Sequence, residues 1–253
     1  MTRWIFSIAI ALLVACGGKP SPANPSPKVV PVVSSDSVWR VGEVAFRKGR
    51  WADALKGFEK CLTLVRSDND NASRAHFFLG EIHLAQGNGI LAAREFRRTA
   101  DDGIVEALAP DALLRTGDAY AELWRRPELD PSFGSTAIAT YQEVQSRFPR
   151  SEAAVKAKAR VSELQERMAF KTYRAGVYYF RLKAYDSSII YFRDLVATYP
   201  RSAAAPAALL KMVQAYRAIG YVEELKETCG YVRKFHAGAP GMADACKDVP
   251  AAG

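Results

Sequence analysis

Histidine and cysteine are scarce in this chain, with three and four among 253 residues. Three histidines leave little material for a metal site or a general base, so no cofactor or metal is expected. Four cysteines are too few for a disulfide scaffold. No apolar run reaches the ~20 residues that a bilayer-spanning helix needs. Strand-like alternation of useful length is also missing, and 17 Gly and 13 Pro fall without a collagen period. What remains is a chain with 49% apolar and 25% charged residues, long enough for one or two domains with a sizeable core. Lys and Arg number 35 against 27 Asp and Glu, a net +8 that would suit nucleic acid or anionic lipid.

The N-terminus narrows those partners. Arg3 precedes a 12-residue apolar run, Trp4 to Ala15, which has the length of a signal peptide (residues 1–15). Leu13-Val14-Ala15-Cys16 resembles the bacterial lipobox, in which cleavage occurs before a cysteine that then carries lipid. Gly17 follows, rather than an inner-membrane retention aspartate, so outer-membrane sorting is expected. Residues 17–35 hold five of the 13 prolines. Together with Cys16 they form a semi-rigid tether (16–35), reaching roughly 60 Å at about 3.1 Å per residue. An exported chain has little call for nucleic acid. Its positive balance serves headgroups, acidic protein surfaces or plain solvation.

The body of the chain repeats itself. Gly42, Gly49, Trp51, Ala54 and Phe58 recur 38 residues on as Gly80, Gly87, Gly89, Ala92 and Phe96. A third copy has Gly117, Tyr120, Ala137, Tyr141 and Pro149, with an insertion at Arg125–Ser135. A fourth has Gly176, Tyr179, Tyr185, Phe192 and Pro200, and a weaker fifth has Tyr216, Gly220, Leu225 and Cys229. The first glycine lets two antiparallel helices approach, and Gly49, Gly87 and Gly220 supply a left-handed turn. The alanine and the aromatic four residues later share one face of the second helix. Proline ends that helix, and Ser151 or Ser202 caps the next. This is the tetratricopeptide pattern, and the predicted fold is an all-α solenoid of about five helix pairs. Ser151 to Leu182 lacks Gly and Pro before Gly176 and reads as one long helix or two nearly continuous ones. Three repeats (36–150) precede it, and with two more it makes up 151–236, followed by a tail (237–253).

Chemical motifs are few. His76 and His83 lie about 10 Å apart along a helix, too far to share a metal alone. Asp68-Asn69-Asp70-Asn71 begins like a calcium loop, but Ser73 and Leu79 replace its turn glycine and bidentate glutamate. Gly87-Asn88-Gly89 follows no strand and is a turn. Cys61 reads as a small core residue. Cys229 and Cys246, with Gly238 and Gly241 between them, either form a disulfide pinning the tail or remain two thiols. The spacing does not choose. No catalytic arrangement is found, so the chain is not expected to be an enzyme.

Lipobox, proline-rich tether and five repeats resemble the BamD family, tetratricopeptide-repeat lipoproteins of the machinery that assembles outer-membrane β-barrels. The resemblance is strongest from Tyr141 to Tyr216, through Phe148-Pro149-Arg150-Ser151, the long helix, Tyr178-Tyr179, Lys183-Ala184-Tyr185 and Tyr199-Pro200. It implies a non-catalytic periplasmic scaffold, lipid-anchored in the outer membrane. The implied partners are the barrel-assembly subunit, other lipoproteins of the complex and unfolded outer-membrane proteins. The first two repeats depart from the family's Tyr-Pro-x-Ser ending, and Tyr191 stands where family members carry an interface arginine. The alternative is a periplasmic repeat adaptor of the division machinery, although such proteins usually begin with a coiled coil and lack a lipobox. A lipid-anchored enzyme is a third class, for which no catalytic groups are found.

Two surfaces are expected. Tyr173, Tyr178, Phe180 and Arg181 crowd one helix and suit partner docking. Glu43, Glu81 and Asp118 follow the repeat glycines and should ladder along the concave groove, with Trp39, Phe46 and Phe77 on the same helix face. Such a groove suits an extended segment with aromatic side chains and free backbone N–H groups. The competing reading is that the carboxylates are solvated and the aromatics pack between repeats. Mass spectrometry of the mature N-terminus should find a diacylglyceryl group on Cys16. A free Gly17 or an uncleaved Met1 would exclude the anchored scaffold.

Overall fold

The repeat glycines lie where a side chain has little or no room. In a computed structural model, which describes residues 34–250, a Cβ on Gly80 would stand 2.7 Å from the Phe96 ring. On Gly117 or Gly176 it would come within 2.4 Å of Tyr141 or Phe192, and on Gly42 within 3.3 Å of Phe58. Each aromatic belongs to the second helix of a pair and sets its ring against the backbone of the first.

The pairs are α1 (Ser35–Arg47) with α2 (Trp51–Leu64), α3 (Asp70–Ala85) with α4 (Gly89–Asp102), and α5 (Ala109–Leu123) with α6 (Ser132–Arg147). Then come α7 (Glu152–Arg181) with α8 (Tyr185–Thr198) and α9 (Ala205–Ile219) with α10 (Val222–Phe235), before the short α11 (Met242–Cys246). No strand occurs among the described residues, and no described helix is long and apolar enough to cross a membrane. The fold is an all-α solenoid of five tetratricopeptide-like pairs.

Gly49, Gly87 and Gly220 hold φ of +67°, +77° and +77° at the turns within their pairs. At the corresponding turn between α7 and α8 stands Lys183, among the described residues the one non-glycine with positive φ, at +59°. There the Cβ crowds the following carbonyl, a strain that glycine avoids. Ser34, Asn69 and Ser151 cap α1, α3 and α7, the Ser151 hydroxyl accepting from the Ala154 N–H at 3.1 Å. Ser202 does not cap α9, contrary to the sequence expectation. That helix starts two residues later with Ala204 as its N-cap and Pro206 in its first turn, and the buried Ser202 hydroxyl has no partner.

Helix α7 is one uninterrupted run of 30 residues and belongs to two cores. Ala153, Ala157, Leu164 and Met168 pack with Leu113, Trp124 and Tyr141 of the third pair. Further along, Ala169 packs with Phe192, Leu209 and Met212, joined by the half-buried Tyr173, Val177 and Phe180. The insertion of the third repeat runs into α6 from Ser132, and its loop is strapped to α7. Arg167 stacks 4.9 Å over the buried Trp124 ring and donates to the Trp124 carbonyl, Lys171 donates to the Leu129 carbonyl at 2.9 Å, and Arg174 pairs with Glu128.

The fifth pair varies the pattern. Val213 and Cys229 occupy the glycine and aromatic positions, sixteen residues apart as in three other repeats. Volume has moved from the second helix to the first. A disulfide joins Cys229 to Cys246 with 5.6 Å between their Cα atoms, and Val249 completes the cluster. Arg233 donates to the Cys246 and Val249 carbonyls at 2.6 and 2.5 Å, so the tail closes the end of the solenoid as structure rather than as a loose extension.

Two substitutions test this account by urea denaturation. Gly117→Ala should cost about 1–3 kcal/mol, because the methyl meets a buried ring that has nowhere to go. Lys183→Gly should gain about 1 kcal/mol by releasing the left-handed strain.

Candidate functional site

Helix α5, the first of the third pair, runs beside the N-terminal half of α7, and a cleft bordered by α3 opens along them. It has two adjoining compartments of about 370 and 610 Å³, both lined by Arg115, Asp118, Arg160 and Glu163. Apolar surface comes from Phe77 and Leu84 on α3, Leu114 and Ala121 on α5, and Ala159 and Leu164 on α7.

Arg115 organises the polar wall. Its Nε and Nη2 donate to the two Glu81 carboxylate oxygens at 2.6 and 2.5 Å, a two-pronged bond that ties α5 to α3. Its Nη1 donates to Asp118 at 3.1 Å. The other Asp118 oxygen accepts from the Tyr141 hydroxyl at 2.7 Å and lies 3.8 Å from Arg160. The Glu81 bond and then the Asp118 charge raise the Arg115 pKa, so the guanidinium stays charged throughout any accessible pH. Burial, with the Asp118 carboxylate beside it, pushes the Tyr141 phenol well above its usual range and keeps it a donor.

The structure brings together three of the six residues expected in the groove. Phe77 and Asp118 line the cleft, and Glu81 enters through Arg115. Trp39, Glu43 and Phe46 do not line it. The Trp39 ring meets Phe58 and Phe78 edge-on, at 5.2 and 5.7 Å, and Phe46 meets Trp51 and Phe78 at 5.4 and 5.0 Å. These aromatics glue the first pair to the second. Glu43 is bound by Arg47 one turn along α1 at 2.7 Å. The acidic ladder therefore exists in register but is no bare anionic rail, since each carboxylate is matched by an arginine. Sequence reasoning missed Arg115, Arg160, Tyr141 and Glu163. Arg115 sits three residues before Asp118, a spacing that puts both on one helix face and was the available signal.

The expected docking residues divide between two sides of α7. Tyr173 and Phe180, seven residues apart, face the C-terminal core, where Tyr173 meets Phe192 and Phe180 meets Tyr185 and the Lys211 ammonium. Tyr178 is 60% exposed and, with the exposed Arg181, faces solvent. Beside it, Tyr179 stacks on Tyr191 at 5.3 Å, and Ile190 and Leu182 are exposed. The four residues are therefore not one surface, because a helix turns about 100° per residue. Cys16 lies outside the described residues. Among those described, no three His, Cys, Asp or Glu side chains gather as a metal-binding group.

Comparison with known proteins follows the same outline. Over 233 residues the chain is 24% identical to the outer membrane protein assembly factor BamD of Vibrio cholerae, covering 87% of this chain and 92% of that one. Among solved structures it is similar to the TPR2AB-domain:pHSP90 complex of yeast Sti1, with a TM-score of 0.43, 13% identity and coverage of 84% of this chain and 95% of that one. A TPR repeats protein from Bacteroides fragilis gives a TM-score of 0.42 at 13% identity, over 85% of this chain and 84% of that one. The family model YfiO, described as an outer membrane lipoprotein, matches residues 70–229, from the first residue of α3 to the disulfide cysteine of α10, and on that match the chain belongs to the YfiO family of outer membrane lipoproteins.

Proposed function

We propose that this protein is a non-catalytic scaffold of the machinery that assembles β-barrel proteins into the outer membrane. It is held there by an acylated Cys16 and faces the periplasm. The observation that carries the reading is the similarity to the Vibrio cholerae assembly factor, which extends over 92% of that protein and so spans the scaffold rather than one repeat. The solenoid suits the role, since paired helices expose extended surface without needing a reaction centre.

In this reading the cleft receives unfolded outer-membrane protein segments. An extended segment offers side chains on alternate sides and unpaired backbone groups. Phe77, Leu114 and Leu164 supply apolar contact. The Glu81 and Asp118 oxygens retain lone pairs for backbone N–H groups even while bound to Arg115. Because the charges are matched within the protein, selection rests on shape and apolar side chains more than on net charge. The solvent-facing Tyr178 and Arg181 dock the barrel-assembly subunit, with Tyr173 and Phe180 supporting the helix from behind.

Binding of a fluorescent peptide from a barrel protein's last strand tests the cleft. Phe77→Ala with Arg160→Ala should weaken it roughly tenfold, a loss of about 1.4 kcal/mol, and Glu43→Ala should leave it unchanged. Equal binding by all three would exclude the cleft as receptor. For docking, Tyr178→Ala with Arg181→Ala should reduce capture of the barrel subunit without lowering the melting temperature. If capture survives that pair, the docking face lies elsewhere.

A further inference from the structure

A second polar cavity lies between α2, α3 and α4 and shares no lining residue with the cleft. Its two lobes, about 450 and 290 Å³, meet at Leu62, His76 and Arg98. His76 on α3 is 6% exposed and Glu95 on α4 is 8% exposed, and His76 Nδ1 lies 2.7 Å from a Glu95 carboxylate oxygen. The other oxygen accepts from Arg94 at 2.9 Å. An ionised carboxylate only accepts, so Nδ1 carries the proton and Nε2 is the ring nitrogen left for a ligand.

The solenoid itself does not require this pair. Four residues before the repeat glycine and one before the aromatic, the other repeats carry Val38 and Gly57, Leu113 and Thr140, Thr172 and Tyr191, and Leu209 and Thr228. Each is uncharged, and each pair of helices packs without an ion pair at that level. Burying a histidine and a carboxylate where uncharged residues serve elsewhere costs desolvation energy without adding to the repeat. Arg98, one turn beyond Arg94 on α4, lines both lobes and makes no ion pair among the described residues.

We propose that this cavity binds a single carboxylate carried on a short aliphatic stem. Leu62 and Leu79 take the stem, the Arg98 guanidinium takes the carboxylate through its parallel N–H donors, and the His76 ring, held in place by Glu95, borders the bound group. Glu59 and Asp102 also line the lobes, and their negative charge disfavours a doubly charged phosphate more than a carboxylate. An Asp or Glu side chain of a bound protein segment and a free small acid share this chemistry. The proposal stands apart from the cleft reading, since it uses none of the cleft's residues.

The chain has three histidines, so ¹³C-histidine labelling of the full, detergent-solubilised protein resolves His76 by NMR. Sodium propionate, a blocked Ala-Glu-Ala peptide and inorganic phosphate are each titrated at constant ionic strength. The His76 ring signal should shift and saturate with propionate and with the peptide, and phosphate should bind at least tenfold more weakly. Tighter binding of the peptide than of propionate assigns the source to a protein segment; the reverse assigns it to a free acid. Arg98→Gln should lower the affinity for both about tenfold, while Arg74→Gln, an exposed α3 cation outside the cavity, should not. Arg98 is exposed, so its variant keeps the fold, as circular dichroism will register. A His76 signal that never saturates, or binding that survives Arg98→Gln, overturns the proposal.

Discussion

The contact between a glycine backbone on one helix and an aromatic ring on the next is the constraint from which this solenoid is built. Gly42 with Phe58, Gly80 with Phe96, Gly117 with Tyr141 and Gly176 with Phe192 fix the distance between paired helices, because the last three have no space for a further methyl and Gly42 only a tight one. With that distance set, the neighbouring alanines can be buried, and the second helix of each pair packs against the first helix of the next. The cleft follows from this stacking, since α3, α5 and α7 are such first helices. Where the chain exchanges the two volumes, at Val213 and Cys229, the smaller second-helix residue leaves room for a disulfide to the tail, and the solenoid closes there.

Charge plays a second, distinct part. Arg115 joins two consecutive repeats through Glu81, and between α4 and α6 Arg97 does the same through Glu143 and Arg147 through Asp101. Hydrogen bonds from both arginines hold the Glu143 carboxyl below its usual range in spite of partial burial. These bonds set register between pairs, where apolar packing alone tolerates sliding. Their cost is that carboxylates spaced along the first helices are already satisfied, which shifts any binding in the cleft toward apolar and backbone contact. His76 and Glu95 differ, because their pairing lies within one repeat and borders a cavity with an unmatched arginine.

The long α7 converts a local pattern into a global one. A helix of 30 residues rises about 45 Å, enough for one end to complete the third pair's core while the other end starts the fourth. Arg167, Lys171 and Arg174 clamp the insertion loop onto its middle, so the two cores share a single rigid element.

The helix pairs, the long helix, the turn glycines and the buried Cys61 were legible in the sequence, because glycine, proline and apolar spacing act over a few residues and leave a periodic trace. The family resemblance rested on the same local punctuation. The groove was only half legible. Phe77, Glu81 and Asp118 stood at the right register, but the arginine that meets Glu81 comes from a neighbouring helix and Arg160 reaches Asp118 from α7, and a one-dimensional pattern cannot state which face of a helix lies opposite which. For the same reason Trp39 and Phe46 resembled groove residues until Phe78, on the next pair, was seen to take up their rings. Tyr178 and Phe180 sit two positions apart in the chain, yet one faces water and the other a core, a difference set by α8 and α9 packing against one side of α7. Spacing allowed the Cys229–Cys246 pair without requiring it. The approach of the tail, fixed by Arg233 and by the small side chain at the aromatic position, brought the two sulfurs together.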